Sequence, residues 1–228
     1  MKKNIIGVII IILAVLGLIA FNSQPTNNAV IKIGVILPLS GDLGIIGEPA
    51  KHGAEMALTS FKNTKYKYEL IFEDDQYDVN KTVTAANKLL AVDKVNVIVT
   101  LGSAEGNSVK PLANKAKVVH FNTAASDQTI PDGKYIFTHW TPPTEESKTM
   151  VAEFIKKDIK KVAIFTTNND GMIAIANELK SQLKETNITV SLDEKLNVGN
   201  RDFRTQIMKL KENLPDIIVM QNTPPERI

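Results

Sequence analysis

Short β-branched runs alternate with segments of helical spacing along the chain from Val30 onward, and that alternation restricts the fold to the α/β class. Ile31 to Leu37 is an apolar strand closed by Pro38. Residues 49–62 place Ala50, Ala54, Ala57, Leu58 and Phe61 at helical spacing, with Pro49 suited to a first turn. Tyr66, Tyr68, Leu70 and Phe72 alternate with polar residues as a strand does. A helix over 79–92 follows, with Asp78 as its cap, then a strand from Val95 to Leu101, a helix over 107–116 and a strand from Val118 to Asn122. After a short extended piece at Lys134 to Phe137, the theme returns with a helix at 144–157 and a strand from Val162 to Thr166. A helix at 172–185, a strand from Ile188 to Leu192, a helix at 203–213 and a strand from Ile217 to Met220 complete it.

Repeated β–α–β order implies parallel sheets with right-handed crossovers. The stretch Thr138-His-Trp-Thr-Pro-Pro143 reads as a connection between two such units. The expected organisation is an N-terminal lobe at 30–138, a hinge at 139–143 and a C-terminal lobe at 144–228, each lobe a doubly wound parallel sheet. The second lobe is expected to be incomplete: it has three strands, and Ile228 follows the last of them where a further helix is due.

Ahead of these units, Met1-Lys2-Lys3-Asn4 precedes 17 apolar or glycine residues from Ile5 to Phe21. Residues 1–21 therefore read as a signal peptide or an N-terminal membrane anchor, and the polar stretch 22–29 as a linker. The expected location is extracytoplasmic. Without Lys2 and Lys3 the 27 basic side chains become 25, equal to the 25 acidic ones, so the folded part is neutral. Basic residues do not cluster with aromatics, which argues against nucleic acid. The absence of cysteine excludes disulfides, zinc–thiolate sites and thiol nucleophiles.

In open α/β sheets ligands sit beyond the carboxyl ends of the strands. The loops expected there are Leu39 to Gly47, Gly102 to Ser108, Thr123 to Asp127, Asn168 to Gly171 and Gln221 to Thr223. They carry Ser, Thr, Asn and Gly but no His, Lys or Arg. Small hydroxyls and backbone N–H groups at helix N-termini suit a compact polar group such as a carboxylate; they supply no strong base or nucleophile. The expectation is a binding protein rather than an enzyme, with no cofactor. His52, His120 and His139 are scattered and read as surface or packing residues. Glu73-Asp74-Asp75 reads as a solvated strand end and capping loop, not a metal site.

The segment Ile31-Lys-Ile-Gly-Val-Ile-Leu-Pro-Leu-Ser-Gly41, with Gly47 and Gly53-Ala-Glu-Met-Ala57, resembles the opening of the type I periplasmic binding proteins. The similarity is to the branched-chain amino acid-binding branch that serves ABC importers. Glu73 to Gln76, Gly102-Ser103, Pro111 to Ala113, Ala124 to Ser126, Val162 to Phe165 with Gly171, and Asp202-Phe203 continue it in order. The resemblance implies an amino acid held in an interlobe cleft and handed to permease subunits in the membrane. It implies that Ser103 and Ser126 hold the ligand carboxylate and that backbone groups near Ala104, Ala124 and Ala125 add hydrogen bonds. Ile46, Asp170 and Thr223 fall where aromatic residues often meet the ligand, and Glu105 adds a negative charge beside the carboxylate site. The acidic residue that usually receives the ammonium would lie beyond Ile228, with Asp170 as a stand-in. Trp140 either walls the cleft or packs the connection.

Two alternatives accompany this reading. One is a membrane-anchored receptor of the same fold. The other, more remote, is an NAD-dependent enzyme, for which Gly41-x-x-Gly44-x-x-Gly47 and Tyr77-x-x-x-Lys81 are the grounds; the glycine spacing departs from the dinucleotide fingerprint.

Overall fold

The computed structural model describes residues 30–61, 65–197, 200 and 202–222. Residues 1–21, read above as a signal peptide or anchor, residues 22–29, read as a linker, and Thr223 lie outside the described residues. Strands Val30–Leu37 (β1), Lys67–Asp74 (β2), Val97–Leu101 (β3), Val119–Thr123 (β4) and Ile136–His139 (β5) form one sheet, in the order β2-β1-β3-β4-β5. Lys161–Thr167 (β6), Thr189–Leu196 (β7) and Ile217–Gln221 (β8) form a second, in the order β7-β6-β8. Neighbouring strands run parallel in both. Six helices connect them: Gly44–Ser60 (α1), Val79–Lys88 (α2), Ser103–Ala116 (α3), Pro143–Lys156 (α4), Asp170–Leu183 (α5) and Arg204–Asn213 (α6).

Helices pack on both faces of each sheet, although β4 and β5 leave Phe121 and Phe137 exposed on one face. Successive side chains of a strand point to opposite faces. Ile36, Ile98 and Ile136 therefore face α2 and α3, where they pack with Ala85, Leu89 and Val109. Each such isoleucine contributes about 1.5–3 kcal/mol by leaving water. Ile33, Val35 and Val99 face the other way, toward Ala54, Leu58 and Phe61 of α1 and its end. In the second sheet Val162 and Ile164 pack against α4 and α5 through Phe154, Leu179 and Leu183. Ala163 and Phe165 pack beneath Phe203 and Leu210 at α6.

Two helices begin earlier than apolar spacing predicts. Helix α1 starts at Gly44 rather than near residue 49, because the N–H groups of Ile46 and Gly47 already donate to the Leu43 carbonyl. Pro49 therefore lies inside the helix. Helix α3 starts at Ser103 rather than 107. Gly102, at φ +104°, ends β3 by donating its N–H to the Thr123 carbonyl, then accepts from the Gly106 N–H to open the helix. The stretch expected to be a loop is thus a helix N-terminus. Helix α2 is capped by Asp78, whose carboxylate accepts from the N–H groups of Asn80 and Lys81. It ends at Lys88 in a wider turn over Leu89–Asp93. Strand β5 runs on to His139 and β7 to Leu196, both past their expected ends.

Candidate ligand-binding site

The carboxyl ends of β3 and β4 bring α3 and the loop 124–130 together, and β6 delivers the start of α5 opposite them. Asn169 caps α5, its side-chain oxygen accepting from the N–H of Gly171 at 3.0 Å. The same side chain donates across the seam to the Tyr77 hydroxyl at 3.3 Å. Asn107 of α3 donates both to Asp127 at 2.9 Å and to Asp170, on the opposite side, at 3.1 Å. Beside these bonds lies a cavity of about 580 Å³, lined on one side by Ser126 to Thr129 and on the other by Asp170, Ile173, Ala174, Asn177 and Glu178, with Pro143 and Thr144 at its edge. That volume suits a small organic solute.

Ser103 and Ser126 come together, each 2% exposed. The Ser103 hydroxyl accepts from the N–H groups of Ser126 at 3.0 Å and Asp127 at 3.2 Å, so it braces the 124–130 loop against α3. A Cβ at Gly171 would lie 3.0 Å from that hydroxyl, so Ser103 also faces the second lobe. Replacing Ser103 with alanine should leave one buried and one half-buried N–H group without this partner and destabilise the protein by about 1–3 kcal/mol, read as a lowered urea midpoint with an unchanged slope.

Of the other expected site residues, Asp170 lines the cavity, while Ala104, Ala124 and Ala125 are not among its lining residues. The Ala124 N–H is taken by the His139 carbonyl at 3.3 Å. Ile46 is half-buried in α1 and does not line the cavity. Trp140 is 53% exposed and does not line the cavity.

Three acidic and aromatic residues stand in surroundings that the sequence does not predict. Asp75 is not a solvated loop residue: it is 1% exposed and accepts from the Tyr77 N–H and the Thr82 hydroxyl. Burial raises its carboxyl above the ordinary range. Glu105, also 1% exposed, has one carboxylate oxygen with no hydrogen-bond partner. Burial first, and then Asp75 and Asp170, push its pKa up to about 8. Tyr77 rises to about 12, through burial and then the charge of Glu105. Glu105 is buried because it lies three residues after Gly102, in the first turn of α3 and not in a loop.

Beneath the site, Thr100, His120 and Asn122 form a buried polar group on the inner face of β3 and β4. The Thr100 hydroxyl donates to Asn122 at 2.8 Å, so at 2.7 Å it must accept from His120 Nε2. That leaves His120 Nδ1 bare and buried, and its pKa falls to about 4 by desolvation. His52 and His139 are exposed.

Tyr77 and Lys81 do not form a catalytic pair: the tyrosine hydroxyl is held by Asn169 and the Lys81 ammonium by the Gln76 side chain. Among the described residues no three His, Asp or Glu side chains converge as a metal would require.

Residues 30–227 match the family model described as periplasmic binding protein. The chain is 26% identical, over 99% of its length and 61% of the other, to Leu/Ile/Val-binding protein homolog 2 of Brucella abortus (strain 2308). It therefore spans about three-fifths of that relative. In fold it is similar to a solute-binding protein of an ABC transporter from Rhodopseudomonas palustris BisB5 in complex with 3,4-dihydroxybenzoic acid (TM-score 0.76, 24% identity, 84% of this chain and 54% of that one). It is likewise similar to the branched-chain amino acid transporter substrate-binding protein LivJ of Streptococcus pneumoniae in complex with isoleucine (TM-score 0.73, 22% identity, 84% and 56%).

Proposed function

The chain belongs to the periplasmic binding protein family, and from that premise we propose that it captures an amino acid or related small polar solute between its lobes and presents it to ABC permease subunits. Capture takes place outside the cytoplasm, with residues 1–21 directing export or anchoring the protein. The observation that carries this reading is the 580 Å³ cavity, to which both lobes contribute walls at the carboxyl ends of their strands. Ser126 and backbone groups of the 124–130 loop are the polar contacts on one side, with Asp170 and Asn177 on the other.

Calorimetric titration with the twenty amino acids, their amides and 3,4-dihydroxybenzoic acid tests the proposal. Saturable binding of one of these at micromolar levels is expected. A flat titration for all of them overturns it.

Closure is a hinge motion, and its interlobe bonds set its equilibrium. Asn169→Ala with Asn107→Ala removes the two side-chain bonds across the seam and should shift the lobes toward separation by about 1–3 kcal/mol. Small-angle scattering without ligand should then show a larger radius of gyration than for the parent.

A further inference from the structure

We propose that closing of the two lobes takes up a proton at Glu105, so that the lobes close more readily as pH falls. This rests on the hinge closure of the capture reading above, and on no particular solute.

Three carboxyl groups and a phenol meet where the lobes touch. Asp75 and Tyr77 come from the turn between β2 and α2, Glu105 from the first turn of α3, and Asp170 from the start of α5 in the other lobe. Gln76 and Tyr77 both lie in the left-handed region, at φ +53° and +59°, a conformation that side chains rarely adopt. So held, the Tyr77 ring lies beside Gly102: a Cβ there would sit 3.0 Å from its ring and hydroxyl, and against the Glu105 carboxylate oxygen. The space that the glycine leaves open is shared by the phenol and the carboxyl.

The cover over Glu105 is fastened from the second lobe. The Tyr77 hydroxyl accepts from Asn169 at 3.3 Å, and Asn107, two residues after Glu105, donates to Asp170 at 3.1 Å. With the lobes in contact Glu105 is 1% exposed and one of its oxygens has no hydrogen-bond partner. A neutral carboxyl tolerates that position far better than a carboxylate does. Burial, and then the charges of Asp75 and Asp170, accordingly hold its pKa up at about 8. Separating the lobes breaks both bonds, releases Tyr77, removes Asp170 and lets water reach the carboxyl, which then ionises as an ordinary glutamate does.

Among the described residues no cation offsets these charges at Glu105. The α2 lysines are taken, Lys81 by Gln76 and Lys88 by Glu73 and Asp93. Lys110, farther along α3, donates to the Thr129 carbonyl. His120, on β4 beneath the helix, stays neutral above pH of about 4. Asp127, in the loop 124–130, is negative and is held by Asn107 and Thr129.

The chain has no cysteine, so Asn87→Cys on α2 and Ser181→Cys on α5, both exposed, can carry a donor and an acceptor fluorophore. Single-molecule energy transfer then counts closed and open molecules of the full chain without ligand. Between pH 6 and 7.5 the ratio of closed to open should fall about tenfold per pH unit, the slope for uptake of one proton. In Glu105→Gln, which is neutral at every pH and whose fold circular dichroism checks, the ratio should stay constant. Carbon-13 resonances of the side-chain carboxyls give a second measure that leaves Glu105 in place. In the parent Glu105 should titrate well above the other glutamates, and in Asn107→Ala with Asn169→Ala it should become at least tenfold more acidic. A constant ratio in the parent, the parent's response in Glu105→Gln, or a Glu105 titration unmoved by the paired asparagine change overturns the inference and leaves the capture reading standing. Energy transfer identical in the parent and the paired variant at every pH overturns hinge closure, and the inference with it.

Discussion

Alanine at position 47 should destabilise the protein by about 3 kcal/mol or more, whereas alanine at position 53 of the same helix should stabilise it by about 0.5–1 kcal/mol. Gly47 is buried in the first turns of α1, and a Cβ there would overlap the backbone carbonyl of Pro38, which has no rotamer to change. Either β1's exit or the helix must move, at a cost typical of overpacking. Gly53 is exposed and has nothing within 4 Å of a built Cβ, so alanine there loses only the excess freedom of glycine in the unfolded chain. Urea unfolding of the two variants beside the parent measures both. Equal midpoints would mean that α1 is not seated on Pro38 as described.

Glu105→Gln should flatten the pH dependence of stability between pH 6.5 and 8. The folded-state pKa of about 8 lies above the ordinary 4.5, so the folded protein holds a proton that the unfolded chain gives up as pH rises. Stability from this group is therefore greatest below pH 4.5, falls as pH climbs, and levels off above 8. The whole change is on the order of a few kcal/mol. His120 acts in the opposite sense. Its pKa is depressed to about 4 from 6.5, so stability rises with pH between those values and the two effects offset one another. Above pH 6.5 the histidine contribution is complete and the decline due to Glu105 stands alone. Thermal or urea midpoints at pH 6.5, 7.2 and 8 should drop steadily in the parent and hardly at all in the glutamine variant.

The strands were legible because burial on both faces demands runs such as Val162 to Phe165, which have no helical alternative of that length. The order of elements followed from them. The site was harder to read, and for two reasons. Helix starts set by glycine carry no apolar signal: Gly102 begins α3 four residues before its spacing does, and so moves Ser103 and Glu105 from a loop into a buried first turn. The other difficulty is β4, where His120 and Asn122 face the core while Val119 and Phe121 are partly exposed, the reverse of ordinary hydrophobic alternation. Thr100 on the neighbouring strand makes that inversion tolerable by bonding both polar side chains. Tyr77 and Asn169 are 92 residues apart, and no local pattern announces their meeting.

All five strands of the first sheet, and the apolar cluster beneath it from Ile36 to Ile136, come from one uninterrupted stretch. A chain delivered amino end first can therefore finish that half before Lys161, the first residue of the second sheet, has emerged. During that interval Tyr77 has no Asn169 to meet and Ser103 lies open to water. The last event of maturation is then the docking of one finished body on another, so a nascent chain arrested near residue 180 should already resist protease across 30–139.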